Sequence, residues 1–427
     1  MKLASVLFAL MFCIAALPAR AAGPIVLQQP DPSADLVGTE VLLSAGLDRQ
    51  TPKQNGLAAL VAESIVRTPV QGSALEDAVA ANGGSITYSV DPRGVRFYLE
   101  GLTGTYGKLL DLFHAALSKP DFSAATLASA RSALAAKISQ AQRAPLTVGI
   151  DMLNRAFYQD SAGMPPYGLP ATLANFGTAD AQSFYAAHYR SGDAIVSAVG
   201  NTAALPNAAF AGLVSGLAPG TSSPQKVQMP KLPSTTRQLL ARRDVTVPWL
   251  VAQYPAPDLQ SKDFGAMMIL TAFVQRTLAD VSEVPAIATR SAAQRGVGAY
   301  YNFDARPANV IIYVDGGLGD PTRTFATALT VVNVLGHAKL GGDLADMKSY
   351  AAGRLLEDTV TLQDRAWFAA VYASRGVAGG DYFTRAIKAI NATTSADLQR
   401  VASRYLGAPT IALVLPREQQ SVQTPTP

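Results

Sequence analysis

Residues 83–93 read GGSITYSVDPR and residues 296–306 read GVGAYYNFDAR, and these two stretches decide how the fold is interpreted. Each begins with glycine, alternates in polarity and ends in Asp-x-Arg. Period-two alternation favours a strand. Each stretch is followed by a second apolar run, at residues 95–99 and 310–314, and then by a glycine. A helical pattern comes next, at residues 106–117 and 322–335. The sequence therefore predicts the same strand–strand–helix unit twice.

The ends of the two segments repeat as well. A helix is predicted from Thr178 to Tyr189 and another from Thr394 to Tyr405, each followed by an apolar strand. Thr at a helix start is a good N-cap residue, and an acid in the first turn complements the helix dipole. The paired anchors lie about 215 positions apart in every case, which favours duplication over chance resemblance.

The predicted fold class is α+β, with two homologous domains. Strands at residues 41–45 and 249–254 open the two halves. Each half then contains a hairpin, long helices and a closing strand, which is typical of a mostly antiparallel sheet covered by helices on one face. The predicted divisions are a signal peptide at 1–22, an N-terminal domain at 23–216, a linker at 217–238, a C-terminal domain at 239–416 and a disordered tail at 417–427.

The first 22 residues have the pattern of a secretory signal. Lys2 precedes an apolar run at residues 3–17, and Ala19 and Ala21 offer small residues before a cleavage point. The alternative is an N-terminal membrane anchor, but the run is shorter than the ~20 residues that a span needs. We therefore expect a periplasmic or secreted protein with no membrane span after signal removal. The one Cys, Cys13, lies within this segment.

Composition excludes several classes of protein. The net charge is +4 and charged residues make up 15% of the chain, so neither a disordered chain nor a nucleic-acid-binding protein is expected. One Cys excludes a disulfide scaffold and a Cys-based zinc site. The three His residues, His114, His188 and His337, are far apart in sequence and are interpreted as structural. No G-x-S-x-G elbow, P-loop or dinucleotide fingerprint is present.

Two short segments resemble motifs of the insulinase/pitrilysin-type metallopeptidase family. Residues 55–64, NGLAALVAES, look like the family's G-L-A-H-x-x-E-H helix. Residues 166–170, PYGLP, are similar to its H-P-Y-G-x-P turn. The order and spacing of these segments, in a chain with two similar α+β halves, carry the resemblance. It implies a two-domain fold built around a zinc site in which two His and a Glu bind the metal.

The residues that the family needs for this chemistry are absent. Ala59, Ala62 and Glu63 stand at the positions of the first His, the catalytic Glu and the second His. The third ligand should lie on a helix at about 123–143, but residues 122–150 contain no acid, and the best-matching positions are Ala136 and Lys137. We therefore expect no catalytic residue, bound metal or cofactor in this chain. Glu63 alone is interpreted as a solvated helix carboxylate.

The resemblance implies a function for a member without metal ligands. Such a subunit pairs with a zinc-bearing homologue as a heterodimer, and helps to bind unfolded peptide for proteolysis; zinc is then expected only in the partner. The alternatives are a stand-alone peptide-binding or scaffold protein, which could be a homodimer, and a hydrolase with an unrecognised site.

Arg295, Tyr300 and Tyr301 are the candidate substrate-binding residues. The family's second half often supplies an R-G-x-x-Y pair, and here the spacing from Arg295 to Tyr300 is one residue longer. Arg can hold a carbonyl or carboxylate group, and a Tyr hydroxyl can donate to an oxyanion. Strand alternation sends Tyr300 and Tyr301 to opposite faces, so only one of them can serve. The alternative is an Arg at the start of a strand followed by Tyr residues that pack on the sheet.

Overall fold

A computed structural model describes most of the chain beyond the predicted signal peptide. Arg295, His337 and the predicted tail from residue 418 onward lie outside the described residues, as does the signal peptide itself. The described ranges are 23–158, 161–203, 205–222, 233–281, 296–305, 307–316, 323, 325–326, 343–377 and 382–417.

The N-terminal half contains a five-stranded sheet with the order β1-β7-β2-β6-β5. Strands β1 and β7 are parallel, and all the other neighbours are antiparallel. A two-stranded hairpin, β3 and β4, lies outside this sheet. The strands are β1 (Ile25–Pro30), β2 (Leu36–Leu43), β3 (Pro69–Val70), β4 (Ser73–Ala74), β5 (Gly84–Val90), β6 (Val95–Leu102) and β7 (Ile195–Gly200).

Helices of the same half cover one face of this sheet. Their apolar sides enclose a core that includes Leu60, Phe97, Tyr106 and Phe113, all with no exposed surface. The helices of this half are α1 (Leu57–Val66), α2 (Leu75–Ala81), α3 (Tyr106–Ser118), α4 (Ala124–Arg143), α5 (Pro145–Phe157), α6 (Pro170–Leu173), α7 (Thr178–His188) and α8 (Asn207–Gly212), and α5 is the one that does not join this core.

The C-terminal half contains a second five-stranded sheet, with the order β10-β11-β9-β12-β8. Read from β8, this order and its strand directions match those of the first sheet read from β1, including the single parallel pair at one edge. The duplication and the α+β fold are therefore confirmed. The strands are β8 (Arg237–Arg243), β9 (Trp249–Pro255), β10 (Val297–Asn302), β11 (Asn309–Asp315) and β12 (Thr410–Pro416).

Five helices of the second half are described. They are α9 (Phe264–Val281), α10 (Asp343–Glu357), α11 (Leu362–Ser374), α12 (Tyr382–Ala392) and α13 (Ser395–Tyr405). Thr394 caps α13 as predicted, because its side chain accepts a bond of 3.2 Å from the backbone N–H of Asp397. The same prediction for Thr178 is wrong, since Gly177 is the N-cap of α7 and Thr178 is its first residue. None of the helices in the described part of the chain is long and apolar enough to cross a bilayer.

The sequence analysis did not predict the edge strands β1 and β8. Strand β8 begins at Arg237, which lies inside the segment predicted as a linker. Its sequence, RQLLARR, lacks regular alternation, because one of its edges has no strand neighbour and its charged side chains are exposed. The exact domain limits stay a prediction.

One helix of each half packs on the sheet of the other half. Helix α5 lies on the second face of the C-terminal sheet, where Val148 and Leu153 pack with Trp249 and Val251. A Cβ on Gly149 would lie 2.6 Å from Cγ2 of Val251, so this helix approaches the sheet closely only because a glycine is there.

Helix α11 does the same to the N-terminal sheet. Its buried alanines Ala366 and Ala370 pack against Val199 and Ile195. Both sheets are therefore covered on two faces, once by their own helices and once by a helix from the other half.

Candidate functional site

The positions of the degenerate metal motif lie on α1, a helix whose ten residues are all buried. Ala59 and Ala62 have no exposed surface, and Glu63 is 1% exposed. Glu63 is the only charged residue in this helix. The interpretation of Glu63 as a solvated carboxylate is therefore wrong, and a buried charge of this kind requires partners.

Three side chains bind the Glu63 carboxylate. The Lys137 ammonium lies 2.7 Å from its Oε2 atom, and the Tyr88 hydroxyl donates to the same oxygen over 2.6 Å. Arg67, one turn further along the chain, donates from Nε to Oε1 over 2.7 Å. Lys137 also donates to the Tyr88 hydroxyl oxygen over 3.0 Å. The carboxylate is thus held from both sides by charge-assisted hydrogen bonds.

The electrostatics of this cluster favour the ionised carboxylate. Burial raises the pKa of Glu63, but the hydrogen bonds from Lys137 and Tyr88 and the positive charges of Lys137 and Arg67 outweigh burial, so the pKa is lowered overall. The phenol responds in the opposite direction. Burial and the neighbouring Glu63 charge raise the pKa of Tyr88, which stays protonated and able to donate.

The donor set does not fit the zinc ion that the family resemblance implies. Two of the motif positions are alanine, and Lys137, on the helix predicted to carry the third ligand, places an ammonium against Glu63. An ammonium donates hydrogen bonds and cannot bind a cation. Within the described ranges, no group of three His, Cys, Asp or Glu side chains could hold a metal ion. The positive charges at this site belong to Lys137 and Arg67.

The second family motif packs directly against the first. Gly56 and Gly168 both have positive φ angles, of 99° and 81°, and a Cβ on Gly168 would lie 2.5 Å from the Cα of Gly56. The Asn55 side chain donates to the Pro165 carbonyl over 3.0 Å. This contact brings Tyr167 to the Lys137 cluster, with the ammonium 5.8 Å from its ring centroid.

The candidate substrate-binding tyrosines lie on opposite faces of β10, as alternation predicted. Tyr301 faces the helices of its own half, and its hydroxyl donates to the Pro257 carbonyl. Tyr300 faces the other side and packs near Tyr313, with ring centroids 6.4 Å apart. Both line a cleft of about 410 Å³. Since Arg295 is outside the described residues, the substrate-binding role of these three residues stays a prediction.

The two described histidines make separate contacts. The His114 Nδ1 atom lies 3.2 Å from the Leu213 carbonyl oxygen. The His188 ring, at the end of α7, packs at 4.7 Å on Phe184. Burial lowers the pKa of His188, and the charges of Arg49 and Arg190 add to this.

A charged cluster between the halves was missed by the sequence analysis. The cleft of about 410 Å³ and a neighbouring one of about 340 Å³ share Asp91, Arg96, Asp304 and Trp367. Arg96 donates to the Asp91 carboxylate over 2.6 Å and lies 5.5 Å from the Trp367 ring centroid. Burial raises the pKa of Asp304, and the Asp91 charge adds to this. The sequence contained a signal for this cluster, because Asp91 and Asp304 occupy the same position in the repeated stretches 83–93 and 296–306.

Comparison with known proteins supports the family resemblance. Residues 25–167 match the sequence model of the family described as Insulinase (Peptidase family M16). No curated protein sequence matches the chain. Among solved structures, an inactive M16 peptidase domain from Pseudomonas fluorescens has a TM-score of 0.74 at 16% identity, covering 92% of this chain and 96% of that chain.

Two further structures are similar. A protease from Helicobacter pylori has a TM-score of 0.74 at 16% identity, covering 92% of this chain and 98% of that chain. An M16-like protein from Alicyclobacillus acidocaldarius has a TM-score of 0.72 at 14% identity, covering 92% and 96%. At these identities the likeness shows the fold. Residues 25–167 are thus similar in sequence to the insulinase family M16, and the fold is similar to that of M16 structures over 92% of the chain, with Ala59, Ala62 and Glu63 at the metal-motif positions.

Proposed function

We propose that this chain is a non-catalytic M16 subunit that pairs with a zinc-bearing homologue and helps to bind unfolded peptide for proteolysis. The observation that carries the proposal is the Lys137–Glu63 ion pair at the degenerate metal motif. This ion pair occupies the place where the family has its metal site, and the chain nevertheless keeps both halves of the fold. Retention of the whole fold without its metal chemistry favours a role in binding.

The space between the halves supports peptide binding. Two clefts of about 410 and 340 Å³ meet there. Tyr300 and Phe303 line the larger cleft, Trp367 lines both, and charged side chains complete the walls. Clefts that combine apolar walls with a few polar groups are typical of binding sites. The Pseudomonas fluorescens structure is described as inactive, and the Helicobacter pylori structure as a protease, which agrees with a non-catalytic role in proteolysis.

The signal-like residues 1–22 support export of the chain to a periplasm or to the medium. Because disulfide-permissive compartments disfavour unpaired thiols, a mature chain without Cys also agrees with this location. Detection of the chain lacking residues 1–22 in a periplasmic or secreted fraction would test it.

Reconstitution tests the pairing. The tagged full chain is purified from its native host. Any co-purifying protein that carries the H-x-x-E-H zinc motif is then expressed alone and mixed with the purified chain. We expect a stable complex on size-exclusion chromatography and faster cleavage of an unfolded peptide by the pair than by the zinc subunit alone. A fully active zinc subunit that forms no complex with this chain would instead favour the stand-alone binding or scaffold protein.

A further inference from the structure

Lys137 has hydrogen-bonding capacity beyond its partners in the cluster. A lysine ammonium has three N–H donors. Among the described residues, its bonds go to Oε2 of Glu63 at 2.7 Å and to the hydroxyl oxygen of Tyr88 at 3.0 Å. The third donor is available to a ligand, since the side chain is 36% exposed.

The Lys137 end of the cluster is positive. Glu63 shares its single negative charge between Lys137 and Arg67, each at 2.7 Å. Glu76 pairs with another nitrogen of Arg67 at 3.3 Å. Because the Glu63 side chain is only 2% exposed, a group that approaches from solvent meets the ammonium before the carboxylate.

Aromatic rings shape the approach to this ammonium. It lies 4.1 Å from the Tyr88 ring centroid and 5.8 Å from that of Tyr167. Both rings are partly buried, and they keep water away from two sides of the charge. A charge-assisted hydrogen bond is stronger in such surroundings than in open water.

We propose that Lys137, held in place by Glu63 and Tyr88, binds a carboxylate group of a peptide. A carboxylate can accept from the remaining N–H donor and pair with the ammonium that faces solvent. It can come from the peptide's C-terminus or from an Asp or Glu side chain. The inference rests on the proposed function, because it names one contact that the bound peptide makes.

Four labelled peptides test the contact on the wild-type full chain. The parent is a short, unfolded Ala/Gly/Ser peptide with one Glu and a free C-terminus; the others are its C-terminal amide, its Glu→Gln form and the form with both changes. We expect the doubly changed peptide to bind roughly tenfold to a hundredfold more weakly than the parent by fluorescence anisotropy. The single change that reproduces the loss identifies the source of the carboxylate.

Variants of the chain assign the effect to Lys137. In Lys137→Met the parent peptide should bind as weakly as the doubly changed one, whereas Lys137→Arg should keep part of the difference. Lys108→Met, on the exposed side of α3, is the matched control for general charge and should leave the difference intact.

The outcomes separate the two proposals. Equal binding of all four peptides to the wild-type chain would overturn the carboxylate contact and leave peptide binding in place. No binding of any of them would overturn peptide binding, and the contact with it. A full difference between the parent and the doubly changed peptide in Lys137→Met would overturn the role of Lys137. If Lys137→Met does not fold, as judged by circular dichroism, Lys137→Gln takes its place with the same two outcomes, since its amide can still donate to Glu63.

Discussion

A double-mutant cycle on Glu63 and Lys137 measures whether this ion pair is an energetic unit. The single variants are Lys137→Met, which keeps the length of the side chain, and Glu63→Gln, which keeps its volume. In the structure their charged groups are 2.7 Å apart, and the side chains of Glu63 and Lys137 are 2% and 36% exposed. The carboxylate keeps Arg67 and Tyr88 when Lys137 is removed.

The contacts set the expected magnitudes. A hydrogen bond to a charged group contributes about 1.5–3 kcal/mol, and partial exposure of Lys137 lowers this, so Lys137→Met should reduce the free energy of unfolding by about 1–2 kcal/mol. Glu63→Gln leaves two cations without their shared anion and should cost about 2–3 kcal/mol. Because each single variant already breaks the same pair, the double variant should cost about 1–2 kcal/mol less than the sum.

Urea unfolding followed by circular dichroism at neutral pH gives these free energies. The pKa of Glu63 is lowered from 4.5, so its contribution is present above about pH 4.5 and is lost as the pH falls through the folded-state value. The coupling should therefore shrink in strong acid. Additive single-variant effects at neutral pH, within about 0.3 kcal/mol, would refute the idea that the two residues form one unit.

Three further outcomes are expected. Glu40 is 1% exposed and 3.5 Å from Arg96, and burial raises its pKa to about 7, so the folded state loses stability as the pH rises from about 4.5 to about 7. The Tm of Glu40→Gln minus the Tm of the wild type should therefore be larger at pH 8 than at pH 5, and an equal difference at both pH values would contradict this. Ala370→Leu should lower the free energy of unfolding by about 1–3 kcal/mol, because the larger side chain overpacks α11 against the N-terminal sheet. The control Gln363→Leu, at an exposed position of the same helix, should leave that free energy nearly unchanged in the same assay. The purified chain should hold no stoichiometric zinc by elemental analysis and cleave no unfolded peptide; one equivalent of zinc with chelator-sensitive cleavage would show a metal site that α1 does not explain.

The duplicated hairpins were predictable because their information is local. Strands β5 and β10 alternate in polarity, end in the same Asp-x-Arg pattern and lead to glycine turns, and a local pattern of this kind suffices to place a hairpin. Edge strand β8 was not predictable in this way. Its side chains are mostly exposed, and its parallel pairing with β12 joins residues far apart in the chain.

The candidate site was predicted in position but not in chemistry. The motif resemblance located Ala59, Ala62 and Glu63, but it gave no reason for a carboxylate in an otherwise apolar helix. That reason is Lys137, on a helix 74 residues further along the chain. One signal could have predicted the pairing of Glu63 with Lys137. Glu63 is the single charged residue among the ten residues of α1, and Lys137 is a cation on a helix that lacks acids.

The reciprocal placement of α5 and α11 has a consequence for the history of the chain. These helices occupy equivalent places in the two repeats, each after a long helix that follows the hairpin unit, and each shields the sheet of the opposite repeat. Residues 23–222 or 233–417 expressed alone would leave an apolar sheet face open to water, and we expect each fragment to aggregate unless the other is co-expressed. A single ancestral repeat would have faced the same problem, and a two-fold symmetric dimer that exchanged this helix would have solved it. Joining two such repeats in one chain would turn a contact between molecules into one that dilution cannot separate.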